Sequence, residues 1–555
     1  MAATSPAPTR AAAALTLAPH RRVHHVHMPS GRPCPCRTSA SPRRRTPRCR
    51  AKPTVKGVVD DDEDASRESD PERKEEEEAM TATGTLPGWL RLDTVGMDIL
   101  SIAAPAVLAL AADPIAALVD TAFVGHIGST ELAAVGVSIS IFNLVSKLFN
   151  VPLLNVTTSF VAEQQAVDDS YRGTGESKLI KSSKIYNKLT EERKFLPAVT
   201  TSLALASGIG LMETVALIFG SGTLMDFIGI PVDSPVRIPA EQFLTFRAYG
   251  APPIIVALAA QGAFRGLMDT KTPLYAIGVG NLVNAILDAI FVFPLGLGVR
   301  GAALATVTSE YVIACILLWK LNSKVVIFSG KIIGGGMIRY LKSGGLLIGR
   351  TIAVLLTMTL STSLAAREGP VPMAGHQLCL QVWLTISLLN DALALAGQAL
   401  LATEYTKRNY KQARMVLYRV LQIGGVTGTA LAIILFFGFG SFSSLFTDDP
   451  AVLGIAKSGV WFVAISQPIN AVAFVVDGLY YGVSDFAYAA YSMFFAGAIS
   501  SAFLLVAAPE FGLGGVWAGL ILFMSLRAVA GLWRLGSKGG PWNSILSETD
   551  LRDKM

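Results

Sequence analysis

The stretch AADPIAALVDTAFVGHIG, residues 111–128, carries two carboxylates, Asp113 and Asp120, in an apolar run with no Lys or Arg beside them. In a membrane-spanning helix each would cost about 2.5–3.5 kcal/mol on insertion scales, so keeping them there points to a use. The two lie about two helical turns apart and share one face. Pro114, next to Asp113, interrupts the hydrogen-bond ladder and predicts a kink. The stretch NLVNAILDAIFVF (281–293) repeats the pattern, with Asn281, Asn284 and Asp288 at i, i+3 and i+7 on one face. ALATVTSE then adds Thr306 and Glu310. Acids with no local base need a proton, a sodium ion or water as partner, which reads as a cation-coupling device. The alternative is a carboxylate that only hydrogen-bonds between helices, an alternative that applies most to Asp113.

The second half carries a different chemistry. LLIGRTIAV (346–354) holds Arg350, roughly a third of the way into an apolar segment. CLQVWLTISLLNDALALAGQ (379–398) brings Gln381, Asn390, Asp391 and Gln398, the last two on one face. In ISQPINAVAFVVDG, Gln467, Asn470 and Asp477 also share a face. A guanidinium cannot lose its charge and grips a carboxylate with two bonds, so a fixed cation among amides suits an organic anion. A structural salt bridge from Arg350 to Asp391 or Asp477 is the other reading, and both can hold.

The elements that must position these residues are apolar segments. The chain has 555 residues, 51% hydrophobic and 16% charged, and its first 90 residues are very polar, so the remainder is more apolar still. Apolar segments fall near 97–124, 131–163, 197–219, 242–264, 273–295, 300–320, 343–365, 373–402, 413–440, 454–481, 486–508 and 512–535. That pattern predicts an all-α polytopic membrane protein of twelve transmembrane helices. Lys and Arg gather in the loops on the N-terminal side, which therefore faces the cytosol or stroma. An internal repeat organises the spans. One offset relates Pro252 to Pro468, Gly262 to Gly478, Gly266 to Gly482, Asp269 to Asp485 and Gly296 to Gly512. A parallel repeat of two six-helix halves with a cavity between them is a transporter plan. The domains expected are a six-helix lobe over 91–320, a linker over 321–342 containing the turn-like GGG of 334–336, a second lobe over 343–540 and a tail over 541–555.

Residues 1–50 hold ten Arg, no Lys and no acid, the composition of an organellar transit peptide. Residues 51–90, with DDDEDASRESDPERKEEEE, read as a disordered acidic linker. The net charge of +6 does not imply nucleic acid, since much of the basic excess lies in that leader. Cysteine number and spacing suggest neither a metal site nor a disulfide framework. The apolar body has His126 and His376 but no H-E-x-x-H, no nucleotide-binding glycine loop and no other enzymatic motif, so no cofactor is expected.

LVDTAFVGHIG, NLVNAILDAIFVFPLGLGVRGAALAT, LNDALALAGQALLA and DGLYYGVSD together resemble the multidrug and toxic compound extrusion family, over residues 97–535. LAADPIAALVDTAF, TTSFVAE and RTIAVLLTMTLSTSLAAREG resemble its plant DETOXIFICATION branch that includes citrate exporters. The resemblance implies two pseudo-symmetric six-helix bundles around a V-shaped central cavity, and cation-coupled antiport. It implies a coupling site at Asp120, Asn284 and Asp288 with Thr306 near it. Relatives that couple through the second half use a Glu on span seven, where this chain has Leu355. The expected function is antiport of an organic anion such as citrate against protons. Sodium is the alternative ion, and aromatic or phenolic metabolites the alternative cargo. A lipid-linked precursor flippase, a different class, would want a basic cavity in the first half, where Arg247 and Arg265 stand near span ends. Arg350, Gln381, Asn390, Asp391, Gln398 and Asp477 are the expected substrate-binding residues. A monomer in the chloroplast inner envelope is expected.

Overall fold

Apolar runs bounded by capping residues and turn formers make this chain a bundle of long helices. A computed structural model describes residues 93–173, 194–228, 230–327, 334–443 and 449–547. The leader, the acidic linker and most of the long loop after the second span lie outside those residues. The first lobe holds α1 (Thr94–Gly125), α2 (Ser129–Gly173), α3 (Pro197–Ile228), α4 (Arg237–Ala248), α5 (Ala251–Gly266), α6 (Lys271–Val292) and α7 (Gly298–Lys324). The second holds α8 (Gly334–Arg367), α9 (Pro370–Thr406), α10 (Tyr410–Ser443), α11 (Pro450–Ser458), α12 (Val460–Gly482), α13 (Phe486–Phe511) and α14 (Leu513–Gly536), with a short α15 (Trp542–Leu546). Asp93 caps α1 by accepting from the Gly96 amide at 2.9 Å, and Asp449 caps α11 in the same way.

Eleven of these helices are long and apolar enough to cross a membrane, or twelve when α4 and α5, bent by 48°, count as one span. The twelve-span expectation therefore holds, with the fourth span broken at Tyr249–Gly250 just before Pro252 and Pro253. Among the described residues the sole β feature is a bridge between Lys194 and Val325.

The repeat seen in the sequence is also a repeat of backbone and packing. Met268 and Ser484, one offset apart, both take positive φ, as do Gly296 and Gly512. The Asp269 amide donates to the Phe264 carbonyl, and Asp485 to that of Tyr480. Asp269 then pairs with Lys324, and Asp485 with Arg534, so each half ties its fourth span to its sixth at the same place. Gly262 and Gly266 let α5 lie on α2, since a Cβ there would meet the Leu154 and Thr158 carbonyls at 2.8 and 2.7 Å. Gly478 and Gly482 do the same for α12 on α9. Packing partners repeat as well: α1 with α6 matches α8 with α13, and α6 with α7 matches α13 with α14.

Between the lobes, α1 packs on α9 and α2 on α8, a pair that the same two-fold exchange relates. One apolar core runs across both lobes on the side of the helix ends nearest Asp93, joining Ile99 and Phe160 to Leu401, Leu417 and Tyr480. Away from that side the cores separate, with Phe142, Leu217 and Leu244 in the first lobe and Trp383, Phe439 and Phe523 in the second. Inter-lobe hydrogen bonds follow the continuous core. Arg339 donates to Glu163, Tyr340 to the Ala198 carbonyl, Gln398 to Ser159 and to the Asn155 carbonyl, and Arg419 to Asp93. The lobes are thus joined on the N-terminal side and have separate cores on the other.

Two local expectations change. Gly334 opens α8 and is no turn, because Tyr340 is buried and Arg339 is paired within the same helix. The tail beyond 541 begins with α15, held by fully buried Trp542 and by Arg414, which donates to the Ile545 and Ser547 carbonyls.

Candidate functional site

In the first lobe α1 and α6 lie side by side and bring three polar residues together. The Asn284 Nδ2 donates to Asp120 Oδ1 at 2.5 Å and to Asp288 Oδ2 at 3.1 Å, so one amide bridges two carboxylates. The two carboxylates thus share one amide donor across α1 and α6. Asp288 is fully buried, and its Oδ1 and the Asn284 Oδ1 have no hydrogen-bond partner among the described residues. A cavity of about 270 Å³ opens beside the pair, lined by Asp120, Asn281 and Asn284 with Leu108, Val119 and Ala285. Asn281 does not join the acids; its Nδ2 donates to the Ala112 carbonyl of α1 at 3.1 Å. Thr306 stands on α7, packed on α6, and its hydroxyl donates to its own helix at Ala302. Glu310 is taken by Arg247, which donates to its Oε2 at 2.5 Å and lies over the Phe142 ring.

The second-lobe residues divide among five places. Asp477 accepts from Arg350 and, at 2.5 Å, from Arg527 of α14, so two guanidiniums share one carboxylate. Of the two salt-bridge partners open to Arg350, the structure takes Asp477. Arg350 also lies over the Tyr481 ring, and Arg527 over Phe474 and Phe523. Arg527 is the member that sequence reasoning missed, although an arginine in the middle of the last apolar segment is itself the signal. Gln398 serves the inter-lobe contact through Asn155 and Ser159, so it is a clamp and not part of the arginine cluster. Asn390 is fully buried inside the lobe, with neither end of its amide paired among the described residues. Gln381 is exposed on α9, well over two turns from Asp391, and its side chain joins none of these groups. Asp391 is exposed, within electrostatic range of Arg350, Arg527 and Arg265. Asp113 is exposed too, and its charged neighbour is Arg265, brought from α5. The local absence of bases around Asp113 thus does not survive folding.

Two buried charge clusters, one in each half of a repeated helical bundle, with cores that part on one side, describe a carrier. The MatE family model matches residues 191–290 and 347–505. Protein DETOXIFICATION 44, chloroplastic, of Arabidopsis thaliana is 64% identical over 82% of this chain and 84% of its own length. The chain belongs to the MATE family. DETOXIFICATION 45, chloroplastic, of the same plant is 47% identical over 84% of each chain. Among solved structures, one described as MATE in the bent conformation matches with a TM-score of 0.71 at 18% identity, covering 83% of this chain and all of that one. MATE proteins are transporters, and this MATE chain is one by descent and by fold: an efflux protein of the antiporter type, not an enzyme.

Proposed function

We propose that this MATE transporter exports a carboxylate-bearing organic anion of the citrate type in exchange for protons, with Asp120, Asn284 and Asp288 holding the coupling ion. The observation that carries the reading is the bridged carboxylate pair with two oxygens left buried and unpartnered. A buried acceptor without a partner costs about 1–3 kcal/mol, so a bound cation is favoured there. A proton loaded on one acid satisfies its neighbour, and its loss leaves two like charges in one site, a difference that can drive α1 against α6. Thr306 stays within the same helix layer as an additional oxygen, and Asp113 is a more accessible acid on the same helix.

The anion is the class that suits the second lobe. Arg350 and Arg527 share the single carboxylate of Asp477, so fixed guanidiniums stand in this lobe, the groups that suit a carboxylate ligand. Sodium is the second reading of the coupling ion, favoured because the donors offered are oxygens only. The Arg-rich leader and the chloroplastic designation of the two relatives support the plastid inner envelope as the location. The test is counterflow in proteoliposomes against labelled organic acids, driven by a pH or a sodium gradient in turn. Uptake of citrate-like acids driven by the pH gradient is expected. Transport of aromatic or phenolic metabolites alone, or drive by sodium alone, would replace the substrate or the ion in this proposal. A reporter fused to residues 1–80 is expected to enter plastids, and labelling of the plasma membrane by the full-length protein would refute the location.

A further inference from the structure

Pro252 and Pro253 have no N–H to give, so at the break in span four the carbonyls of Ala248 and Tyr249 lose their helical donors. Two neighbouring helices supply replacements. Thr214 of α3 donates to the Ala248 carbonyl at 3.0 Å, and Tyr311 of α7 to that of Tyr249 at 3.4 Å. The residue before each of these donors is an acid. Glu310 of α7 takes Arg247 from the last turn of α4, and a Cβ on Gly250 would touch both charged ends. Glu213 of α3 pairs with no base among the described residues. It is 1% exposed, its Oε1 accepts from Ser146 of α2, and its Oε2 is sealed with no hydrogen bond among those residues. Two contacts bring Arg247 beside it. The guanidinium lies 4.3 Å from the centre of the Phe142 ring, one turn of α2 from Ser146, and the next residue, Ala248, is the one that Thr214 holds. The second lobe lacks this arrangement: Pro468, the repeat mate of Pro252, sits inside an unbroken α12, and the same offset puts Val463 and Leu526 opposite Arg247 and Glu310.

We infer that Arg247 has two seats, Glu310 and Glu213, and that its move between them makes Glu213 a further proton site of the exchange reaction. In the first state Arg247 pairs with Glu310, and Glu213 is a neutral acid, since a lone carboxylate sealed in the lobe would be an uncompensated charge. In the second, Glu310 takes up a proton, Arg247 turns to Glu213, and Glu213 gives up its own proton. One proton enters and one leaves, so the charge of the lobe is unchanged and neither state buries an unpaired ion. The break suits the move, because its two carbonyls are held by single side-chain bonds and not by the helix ladder. Glu310 also lies one turn of α7 from Thr306, toward the coupling acids. The other charged groups on the surrounding helices leave the seats to Arg247. On α2 Lys147 is exposed, and on α4 Arg237 and Glu241 pair with each other in the first turn. On α5 Arg265 lies in the last turn, α8 meets α3 at Ala198, about four turns from Glu213, and α1 and α6 carry the coupling acids with exposed Asp113. The driving proton is that of the proton-exchange reading; the two seats are tested without it.

The test uses the purified full-length chain and glutamine substitutions, which keep an acceptor for Ser146 but cannot take a charge. An arginine with two seats survives the loss of either acid. Glu213→Gln and Glu310→Gln are therefore each expected to lower Tm in detergent modestly, and the double variant by more than the two losses together. Additive losses would overturn the second seat. Infrared spectra read the seats directly. Native protein minus Glu213→Gln is expected to show the C=O band of a carboxylic acid, and the same subtraction in the Glu310→Gln background a carboxylate band in its place. An acid band in both backgrounds, or a carboxylate band in the native one, would overturn the inference. Where Glu310→Gln yields no folded protein, transport by Glu213→Gln in proteoliposomes carries the test. Loss of most of the flux driven by a pH gradient is expected, with substrate binding in detergent kept, and native flux would overturn the proton site. Drive by sodium alone in the native protein would instead overturn the proton-exchange reading, with the Tm comparison still deciding the seats.

Discussion

Asp477 holds two arginines, and that ratio decides what its loss would do. Replacing it by Asn leaves Arg350 and Arg527 facing each other with one neutral amide between them. Breaking a buried pair in this way costs about 3–5 kcal/mol, because the remaining charge is uncompensated. Asp477→Asn is therefore expected to lower thermal stability in detergent sharply, and native-like stability would show that the cluster carries little. Arg350→Gln is milder, since Arg527 still pairs the acid. At this scale the first-lobe acids were legible in the sequence, because a carboxylate in an apolar run is conspicuous and the spacing puts Asn284 and Asp288 on one face. Their partners were not legible. Arg265 comes within electrostatic range of Asp113 from a span more than 150 residues later, and no local pattern announces which distant charges will come near one another.

Helix packing accounts for the repeat that the sequence showed as a constant offset. Small residues at Gly262 and Gly266, and again at Gly478 and Gly482, let the fourth and tenth spans approach the second and eighth almost backbone to backbone. Gly262→Leu is predicted to prevent that approach and to cut the yield of folded protein, and Gly478→Leu to do likewise in the other lobe. At Gly278 an added Cβ would meet nothing within 4 Å, so Gly278→Ala should change little, and the contrast is readable by fluorescence-detected gel filtration. Span number and order were open to sequence reasoning because apolar length is a strong signal. The break at Tyr249–Gly250 and the start of α8 at Gly334 were not, because a hydropathy pattern registers apolarity and not the side chains that anchor a helix end. Trp542 is the plainest case: a lone aromatic in a polar tail, fully buried in the fold.

At the scale of the whole molecule, the lobes are held on the N-terminal side by a shared core and a few polar bonds, while their cores part on the other side. Alternating access requires those bonds to break. Arg339–Glu163 is partly exposed and such pairs contribute about 0–1 kcal/mol, so Glu163→Gln alone should shift the resting balance by no more than about 5-fold. Gln398→Leu removes both inter-lobe bonds of a buried amide, while Ser159 keeps its bond to the Asn155 carbonyl, so a larger shift toward opening on that side is expected. Labelling of a cysteine introduced at Asn155 by a membrane-impermeant reagent measures the change; equal labelling in native and Gln398→Leu backgrounds would contradict it.

The central claim is that Asp120 and Asp288 form the coupling site of a proton-driven carrier, and Asp120→Asn tests it most directly. Asparagine mimics the protonated acid and cannot titrate, so the carrier is held in one of its two states. Flux driven by a pH gradient in proteoliposomes, set beside substrate binding in detergent, is the measurement. The account predicts that gradient-driven flux is lost while binding is largely kept, with the same result for Asp288→Asn and a smaller effect for Asp113→Asn. Native flux with unchanged pH dependence in Asp120→Asn would contradict it, and the coupling site would then have to lie elsewhere.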